Sequence, residues 1–385
     1  MDVPTPQRCV MIIAGEASGD LHGAALVSAM RQRDPSLFFC GIGGDRLRAV
    51  GVRVAVDAAS LAVVGITEVV SKMPALFRGL RAAKQMLRTL RPDLLVLIDF
   101  PDFNLHVAGV AKKLGIPVLY YISPQIWAWR QGRVRKIGTL VDHMAVILPF
   151  EAAFYQQHHI PVTFVGHPLL DRVPGPVQRR ETAGRGPVIG LLPGSRNREV
   201  ARLLPPLLAA ARLLRARRPD LRFVLSQAPS VDKDRLQRLM ASFADLDIKP
   251  DPRPVAEIFQ QVDLVLAASG TVTLEAAIAG VPAVIVYRVS MLSYWMGRAL
   301  IRVRHIGLAN LIAGRTVVPE LIQAQASAPR IADTAAAILE DPAGLDRLHR
   351  DLAGVRDLLG GPGASQRVAG IAMDMMENDE TDSTT

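Results

Sequence analysis

LLVLIDFPDFN, residues 94–104, contains the change from an apolar run to acidic residues and proline that decides the fold. Its first five residues are all apolar, which is typical of a parallel strand buried on both faces. Asp99 ends this run and Pro101 cannot donate a ladder hydrogen bond, so the strand is predicted to stop here. In doubly wound sheets, ligands bind beyond the carboxyl ends of the strands. Asp99 is therefore predicted to lie at a functional edge, either as a reactive carboxylate or as a cap of the next turn.

Further short apolar runs alternate with segments of helical length. Before residue 173 they are CVMIIA, LFFCGI, PVLYYI, HMAVIL and TFVG, and after residue 186 they are PVIGLL, LRFVLS, DLVLAA and PAVIVY. Buried strands separated by helices predict parallel sheets built from βαβ units. Residues 173–187 are rich in Pro, Gly and charge and separate the two series, so they are predicted to be a linker.

The predicted fold class is α/β, with two Rossmann-like doubly wound parallel-sheet domains facing across a cleft. We expect residues 1–175 to form the first domain and residues 176–370 the second, with the last helix free to pack back on the first. The tail, residues 371–385, ends in the acidic and polar run ENDETDSTT and is predicted to be disordered.

Composition indicates a folded globular protein, because 50% of the 385 residues are hydrophobic and 21% are charged. Cys9 and Cys40 are too few for a disulfide framework and favour a reducing compartment. The apolar runs are broken by Gly, Pro and polar residues, so no spanning helix is predicted. CVMIIAG runs into Glu16 and is predicted to be a strand, not a secretory signal. We therefore expect a cytoplasmic protein.

The net charge of +9 favours anionic partners, either phosphorylated substrates, an anionic membrane or nucleic acid. The sequence has no zinc-finger spacing and no aromatic–basic motif of RNA-binding proteins, so no nucleic acid partner is predicted. It also has no P-loop, no G-x-G-x-x-G fingerprint and no cluster with metal-ligand spacing. We predict neither a metal nor a cofactor.

Two loops in the second half have the form of anion-binding sites. GLLPGSRNREV and LVLAASGTVTLE each place a Gly- and Ser-containing loop between a strand and a helix, where backbone N–H groups can hold phosphate. The residues predicted to do so are Gly194, Ser195, Arg196, Ser269, Gly270 and Thr271. Glu275 lies one helical turn after Thr271 and is predicted either to accept hydrogen bonds from ribose or simply to suit the helix start. Together the two loops favour nucleotide binding.

The first βα turn, AGEASGDLHGA, brings polar groups to the same edge as Asp99. Gly15 and Gly19 allow a tight turn, while Glu16 and Asp20 are acids near a helix start.

The segment 61–91 is amphipathic, with an apolar stripe at helical spacing beside five basic residues. It is either a membrane-contacting element or an ordinary helix docked on the sheet. Its candidate contact residues are Val63, Val64, Val69, Val70, Met73, Leu76 and Leu80.

Taken together, these motifs resemble the lipid-A-disaccharide synthase family, which has the GT-B fold and is glycosyltransferase family 19. The segments that carry the resemblance occur in the family's order: AGEASGDLHGA, LAVVGITEVV, IDFPDFN, YISPQIWAWR, LPFEAAFY, FVGHPL, LLPGSR, ASGTVTLE and NLIAGR. They span residues 10 to about 325, and SPQIWAWR and IDFPDFN are the most specific. The sequence departs from the family pattern at Phe100, Gln125 and Ala309, and we expect these changes to affect packing or acyl preference.

The resemblance implies an inverting transfer of 2,3-diacylglucosamine from its UDP-linked donor to 2,3-diacylglucosamine 1-phosphate (lipid X), with release of UDP. It implies a Gram-negative peripheral enzyme at the cytoplasmic face of the inner membrane, points to a homodimer, and gives segment 61–80 weight as a membrane contact. Asp99 matches the family's catalytic aspartate, and Asp102 and Glu16 are the other two candidate catalytic acids, with Asp102 expected to support the loop that aims Asp99. Arg196 matches an arginine implicated in UDP binding, and Asn310 is expected to face the donor. Residues assigned to the acceptor side are Gly15, Ser18, Gly19, Asp20, Ser123 and Trp127.

Two alternatives remain at this point. Another GT-B enzyme, such as a UDP-N-acetylglucosamine epimerase or a cell-wall glycosyltransferase, would share both domains but would not need the amphipathic segment. A non-catalytic nucleotide-sugar sensor would keep the two anion loops and lack a base. The presence of Asp99 with Glu16 and Asp20 at one predicted edge argues against the sensor.

Overall fold

The computed structural model describes residues 8–61, 66–129, 131–173, 175–177, 186–290 and 304–382. The chain divides into two compact units, Met1–Pro168 with Gly361–Thr385, and Leu169–Gly360. The first unit thus ends after residue 168, where we expected residue 175, and residues 361–370 belong to it and not to the second. Most of the predicted linker lies outside the described residues.

All strands of both units are parallel to their neighbours. In the first unit they are β1 (Cys9–Ala14), β2 (Phe38–Gly43), β3 (Arg53–Asp57), β4 (Leu94–Ile98), β5 (Val118–Tyr121), β6 (His143–Val146) and β7 (Val162–Phe164), in the order β3-β2-β1-β4-β5-β6-β7. In the second they are β8 (Val188–Leu192), β9 (Arg222–Ser226), β10 (Pro250–Asp251), β11 (Leu264–Ala268), β12 (Ala283–Tyr287) and β13 (Glu320–Ile322), in the order β10-β9-β8-β11-β12-β13.

Helices connect these strands. Up to residue 156 they are α1 (Ala17–Arg33), α2 (Asp45–Ala49), α3 (Ala58–Leu61), α4 (Ile66–Leu90), α5 (Pro101–Lys113), α6 (Ile126–Trp129), α7 (Val134–Leu140) and α8 (Pro149–Gln156). From residue 197 they are α9 (Asn197–Arg217), α10 (Lys233–Met240), α11 (Val255–Phe259), α12 (Thr271–Ile278), α13 (Leu308–Ala313), α14 (Ala328–Glu340), α15 (Pro342–Leu358) and α16 (Ala364–Asp382). Short 3-10 helices span Gln131–Arg133, Pro168–Asp171, Ala241–Leu246 and Gln323–Gln325.

The uninterrupted apolar runs are explained by burial on both faces of the sheet. In β1, Met11 and Ile13 join one hydrophobic core while Val10 and Ile12 join the core on the opposite face. An alternating pattern would leave one face polar, so each inner strand needs apolar residues at every position. The prediction of two parallel-sheet α/β domains is confirmed.

The C-terminal segment differs from the expected disorder, because α16 continues to Asp382 and only residues 383–385 lie outside the description. Four of its side chains are buried in the core that α1 and the first sheet share: Val368, Ala369, Ala372 and Met376. This apolar face precedes the acidic run and anchors the helix despite that run's composition. Among the residues that the structure describes, no helix is long and apolar enough to cross a membrane.

Candidate active site

Asp99 directly follows β4, at the carboxyl edge of the first sheet. Its φ is +46° and that of Phe100 is +48°, so two consecutive non-glycine residues adopt the left-handed conformation. Each such residue costs about 1–3 kcal/mol and persists only where its surroundings enforce it. Here the peptide carbonyl of Asp99 accepts hydrogen bonds from Asn104 Nδ2 at 2.6 Å and from the Tyr120 hydroxyl at 2.5 Å. Both donors come from buried side chains, so the turn is fixed from inside the protein.

Gly15 is required by the side chain of Phe100. A Cβ placed on Gly15 would lie 2.3 Å from Phe100 Cδ1, which no side chain tolerates. Phe100 also stacks on Phe103, with ring centroids 5.0 Å apart. The departure at position 100 is therefore accommodated by packing between the first βα turn and α5, beside the Asp99 turn.

The carboxyl group of Asp99 is half-buried, and its pKa is raised to about 6. Burial is the largest cause, the negative charge of Glu16 adds to it, and a hydrogen bond from the Phe100 backbone opposes both. Such a carboxylate is ionised at neutral pH but is a stronger base than an exposed aspartate. This combination suits a general base.

The other acids predicted at this edge have different positions. Asp20 is buried, and its carboxylate accepts hydrogen bonds from the backbone N–H groups of Gly44 at 2.6 Å and Arg46 at 3.0 Å, so it caps α2. The side chain of Asp102 is 72% exposed and pairs with Arg133 at 2.5 Å. Neither carboxylate shares the half-buried environment of Asp99, and only Glu16 affects its pKa.

Gly19 and Ser18 follow Glu16 in the first turn of α1. A Cβ on Gly19 would lie 3.4 Å from Ala14 Cβ and 3.5 Å from Ile98 Cγ2, which are ordinary van der Waals distances, so the packing of α1 on the sheet does not require glycine at this position. Ser18 is exposed. An acceptor-binding function for either residue stays a prediction.

Ser123 and Trp127 belong to a buried polar network behind the carboxyl edge of β5. The Ser123 hydroxyl lies 2.6 Å from the Tyr155 hydroxyl, and Trp127 Nε1 donates to Glu151 Oε1 at 2.9 Å. Glu151 Oε2 also accepts from the backbone N–H of Leu148 at 3.1 Å. Burial raises the pKa of Glu151 to about 7, and hydrogen bonds from Trp127 and backbone groups oppose the rise. Both assigned residues thus connect α8 to the segment after β5.

In the second unit, a pocket of about 280 Å³ lies at the carboxyl ends of β8 and β11. Six of the eight predicted donor-site residues line it: Gly194, Ser195, Arg196, Ser269, Gly270 and Thr271. The described lining also contains Glu199 and Ser226, which sequence reasoning missed. Helices α9 and α12 both begin at this pocket. The backbone N–H groups of their first turns and the side chain of Arg196 therefore make the pocket suitable for binding an anion.

Glu275 and Asn310 lie elsewhere in the second unit. Burial raises the pKa of Glu275, and the positive charge of Arg172 opposes the rise. Asn310 is fully buried: its Nδ2 donates to Val318 O at 2.8 Å and Glu320 Oε1 at 2.7 Å, while its Oδ1 accepts from two backbone N–H groups. The amide of Asn310 thus holds the chain that leads into β13, and the expectation that this residue faces the donor stays a prediction.

A sequence profile of the lipid-A-disaccharide synthetase family matches residues 10–352. The chain belongs to this family. It is 50% identical over 378 residues to the lipid-A-disaccharide synthase of Geobacter metallireducens, covering 96% of this chain and 98% of that protein. The chain is therefore a glycosyltransferase of lipid A biosynthesis, and the epimerase, cell-wall glycosyltransferase and sensor alternatives are set aside.

Two solved structures share the fold of this lipid-A-disaccharide synthase family member. Acinetobacter baumannii MurG has a TM-score of 0.62 and 16% identity, with 96% of this chain and 100% of that chain covered. UDP-N-acetylglucosamine 2-epimerase from Neisseria meningitidis, bound to UDP-N-acetylglucosamine, has a TM-score of 0.61 and 12% identity, with 95% and 100% covered. At such identities the likeness shows the fold alone, and it confirms the GT-B class.

The stripe of α4 is only partly available to a membrane in this synthase family member. Leu76 and Leu80 are partly buried against the first unit's core, and their assignment to membrane contact stays a prediction. Among the described side chains of α4, the large apolar ones that are exposed are Met73 at 39%, Phe77 at 63% and Leu90 at 43%, and Phe77 was not among the predicted contact residues. Val63 and Val64 lie outside the described residues. Val69 and Val70 lie in α4, but their side chains are outside the description.

Four further residues were missed: Asn104 and Tyr120, which donate to the Asp99 carbonyl, and Glu151 and Tyr155, which belong to the buried network with Ser123 and Trp127. Asn104 and Glu151 stood in quoted family motifs, and the signal was a polar side chain on an otherwise apolar helix face. Among the described residues, no group of three or more His, Cys, Asp and Glu could hold a metal ion.

Proposed function

We propose that the chain transfers 2,3-diacylglucosamine from UDP-2,3-diacylglucosamine to 2,3-diacylglucosamine 1-phosphate, with inversion at the anomeric carbon. The observation that carries the proposal is the state of Asp99, a half-buried carboxylate with a pKa of about 6 on a fixed turn. Its oxygen takes the proton from the acceptor hydroxyl. The hydroxyl oxygen then bonds to the anomeric carbon as the bond from that carbon to UDP breaks. A positioned base of this kind contributes ~10²–10⁴-fold to the rate.

The second unit binds the donor in this proposal. The diphosphate of UDP occupies the pocket of about 280 Å³, where helix N-termini and Arg196 offset its charge. Glu275, one turn into α12, accepts hydrogen bonds from the ribose hydroxyls; the rise of its pKa through burial is compatible with a carboxylate that is partly shielded from water. Glu16 keeps the Asp99 carboxylate basic, and Asp102 holds Arg133 beside α5.

The α4 patch, which we define as Met73 and Phe77, contacts the cytoplasmic face of the inner membrane. Three exposed arginines on the same helix, Arg78, Arg81 and Arg88, suit anionic headgroups. This association is peripheral and brings the enzyme to its acylated substrates. A homodimer remains a further prediction.

The substrate assignment is tested with the purified full chain. We expect release of UDP when UDP-2,3-diacylglucosamine and 2,3-diacylglucosamine 1-phosphate are both supplied, and proton NMR of the product should show the inverted anomeric configuration. Omitting either substrate is the control. Turnover confined to unacylated UDP-N-acetylglucosamine would contradict the assignment.

A further inference from the structure

Glu199 places a carboxylate inside the pocket that is proposed to bind the donor diphosphate. It belongs to the first turn of α9 and lines the pocket with Arg196 and Gly270. A Cβ built on Gly194 would lie 2.7 Å from Glu199 Oε2, so the carboxylate lies directly against the loop backbone. Gly194 has a φ of +110° and no side chain, and both properties give Glu199 this position.

The charge of Glu199 acts on two groups around the pocket. Its Oε1 lies 3.2 Å from Arg196 Nη1, which pairs it with the cation expected to contact phosphate. Its negative charge also contributes to the raised pKa of Tyr287, at the end of β12, after the larger effect of burial. An acid in a first helical turn is favourable for the helix dipole by itself. That effect does not require the carboxylate to line a pocket or to pair with Arg196.

We propose that Glu199 is a specificity-determining residue that limits the charge of the phosphate group bound by the second unit. By offsetting Arg196, it leaves the pocket suited to the diphosphate of a nucleoside diphosphate sugar and to its release as a nucleoside diphosphate. More highly charged anions, such as nucleoside triphosphates, are repelled. This inference rests on the proposed function, in which that pocket holds the diphosphate of UDP.

The physical basis is that the Coulomb energy between Glu199 and a bound ligand grows with the ligand's charge. For one ligand charge about 4 Å from the carboxylate in water, removing the carboxylate changes affinity by about fivefold; phosphate charges farther away add less, and salt screens every pair. A residue that only stabilises the loop would change the affinity of all these ligands by one common factor.

The test is calorimetric titration of the full chain and its Glu199→Gln variant with uridine, UMP, UDP and UTP at low ionic strength. Glutamine keeps the size and hydrogen-bonding capacity and removes the charge. We expect uridine affinity to be unchanged, UDP affinity to rise several-fold and UTP affinity to rise most, with all gains reduced in higher salt. Glu199→Asp keeps the charge and is expected to retain the discrimination of the unsubstituted chain.

Asp234→Asn is the matched control, because it removes one exposed acid from the first turn of α10 and changes net charge equally. It should leave the four affinities as they are. An equal change for all four ligands in Glu199→Gln, or weaker UTP binding, would overturn the role of Glu199 while leaving the proposed function intact. Absence of UDP binding by the unsubstituted chain would overturn the proposed function and this inference with it.

Discussion

The side-chain amide of Asn104 donates a 2.6 Å hydrogen bond to the peptide carbonyl of Asp99, five residues earlier in the chain. The same amide lies 3.3 Å from the carbonyl of Ile98, and Asn104 is completely buried. A side chain of α5 thus holds the two carbonyl groups at the end of β4. The left-handed turn is stabilised at the point where the Asp99 carboxylate leaves the sheet.

Replacing Asn104 by Ala should lower kcat by roughly 10²-fold, because a base displaced by about 1 Å loses its alignment with the acceptor hydroxyl. UDP affinity should not change, since the donor pocket belongs to the second unit. Steady-state kinetics and UDP titration separate the two effects. Tyr120→Phe removes the other donor and should give a smaller loss, while Tyr121→Phe, on the opposite face of β5, is the control. Unchanged kcat in Asn104→Ala would mean that the turn does not position the base.

The pH dependence of kcat/KM should have an acidic limb near pH 6, where the Asp99 carboxylate becomes protonated and can no longer accept a proton. Glu16→Gln removes a negative charge that raises this pKa, so the limb should move to lower pH. Asp374→Asn removes an exposed acid of the same unit and should leave the limb in place. An acidic limb at the same pH in Glu16→Gln as in the unsubstituted chain would show that the carboxylates of Glu16 and Asp99 do not interact.

Glu151 should make stability depend on pH in a defined direction. Its pKa of about 7 in the folded protein lies above the ordinary glutamate pKa of 4.5, so the folded state favours the protonated form. The resulting stabilisation is complete below pH 4.5 and is lost as pH rises through about 7. Relative to Glu151→Gln, the free energy of unfolding should therefore fall by roughly 3 kcal/mol across this window, as measured by denaturant titration. A constant difference between the two proteins would refute this.

The α4 patch should control membrane association. Met73→Ser combined with Phe77→Ser removes two exposed apolar side chains, and partitioning into anionic liposomes should drop roughly tenfold or more. The matched control is Leu213→Ser with Leu358→Ser, which removes two exposed leucines from the second unit. Flotation assays measure both variants. Equal partitioning of the patch variant and the unsubstituted chain would show that the α4 patch does not mediate membrane association and that α4 only packs on the sheet.

Most of the fold could be predicted because buried strands leave a strong pattern. All ten apolar runs are strands, and Asp99 lies where the pattern ends. The missed strands are all at or beside a sheet edge: β3 has only partial burial, β10 has two residues and β13 has three. β10 and β13 carry too few residues to show a period, and β3 lacks the uninterrupted apolar run of the inner strands, so the pairing of all three is decided by the neighbouring strand.

The candidate site was predictable only as far as backbone loops determine it. The loops at residues 194–196 and 269–271 line one pocket because each follows a strand of the same sheet. Side-chain direction is set by packing that no linear pattern records. The Asn310 amide binds Glu320 inside the protein, and the Glu199 carboxylate lines the pocket. On α4, Leu76 packs against the core while Phe77 is exposed to solvent. Helical spacing showed the α4 stripe but could not tell which surface covers it.

The most direct test of the account is Asp99→Asn, assayed for both turnover and UDP binding in one preparation. The amide keeps the shape of the carboxylate but cannot take a proton, so turnover with the acylated donor and acceptor should fall by ~10²–10⁴-fold. UDP affinity should remain that of the unsubstituted chain. Turnover within a few-fold of the unsubstituted chain would contradict the assignment of Asp99 as the base.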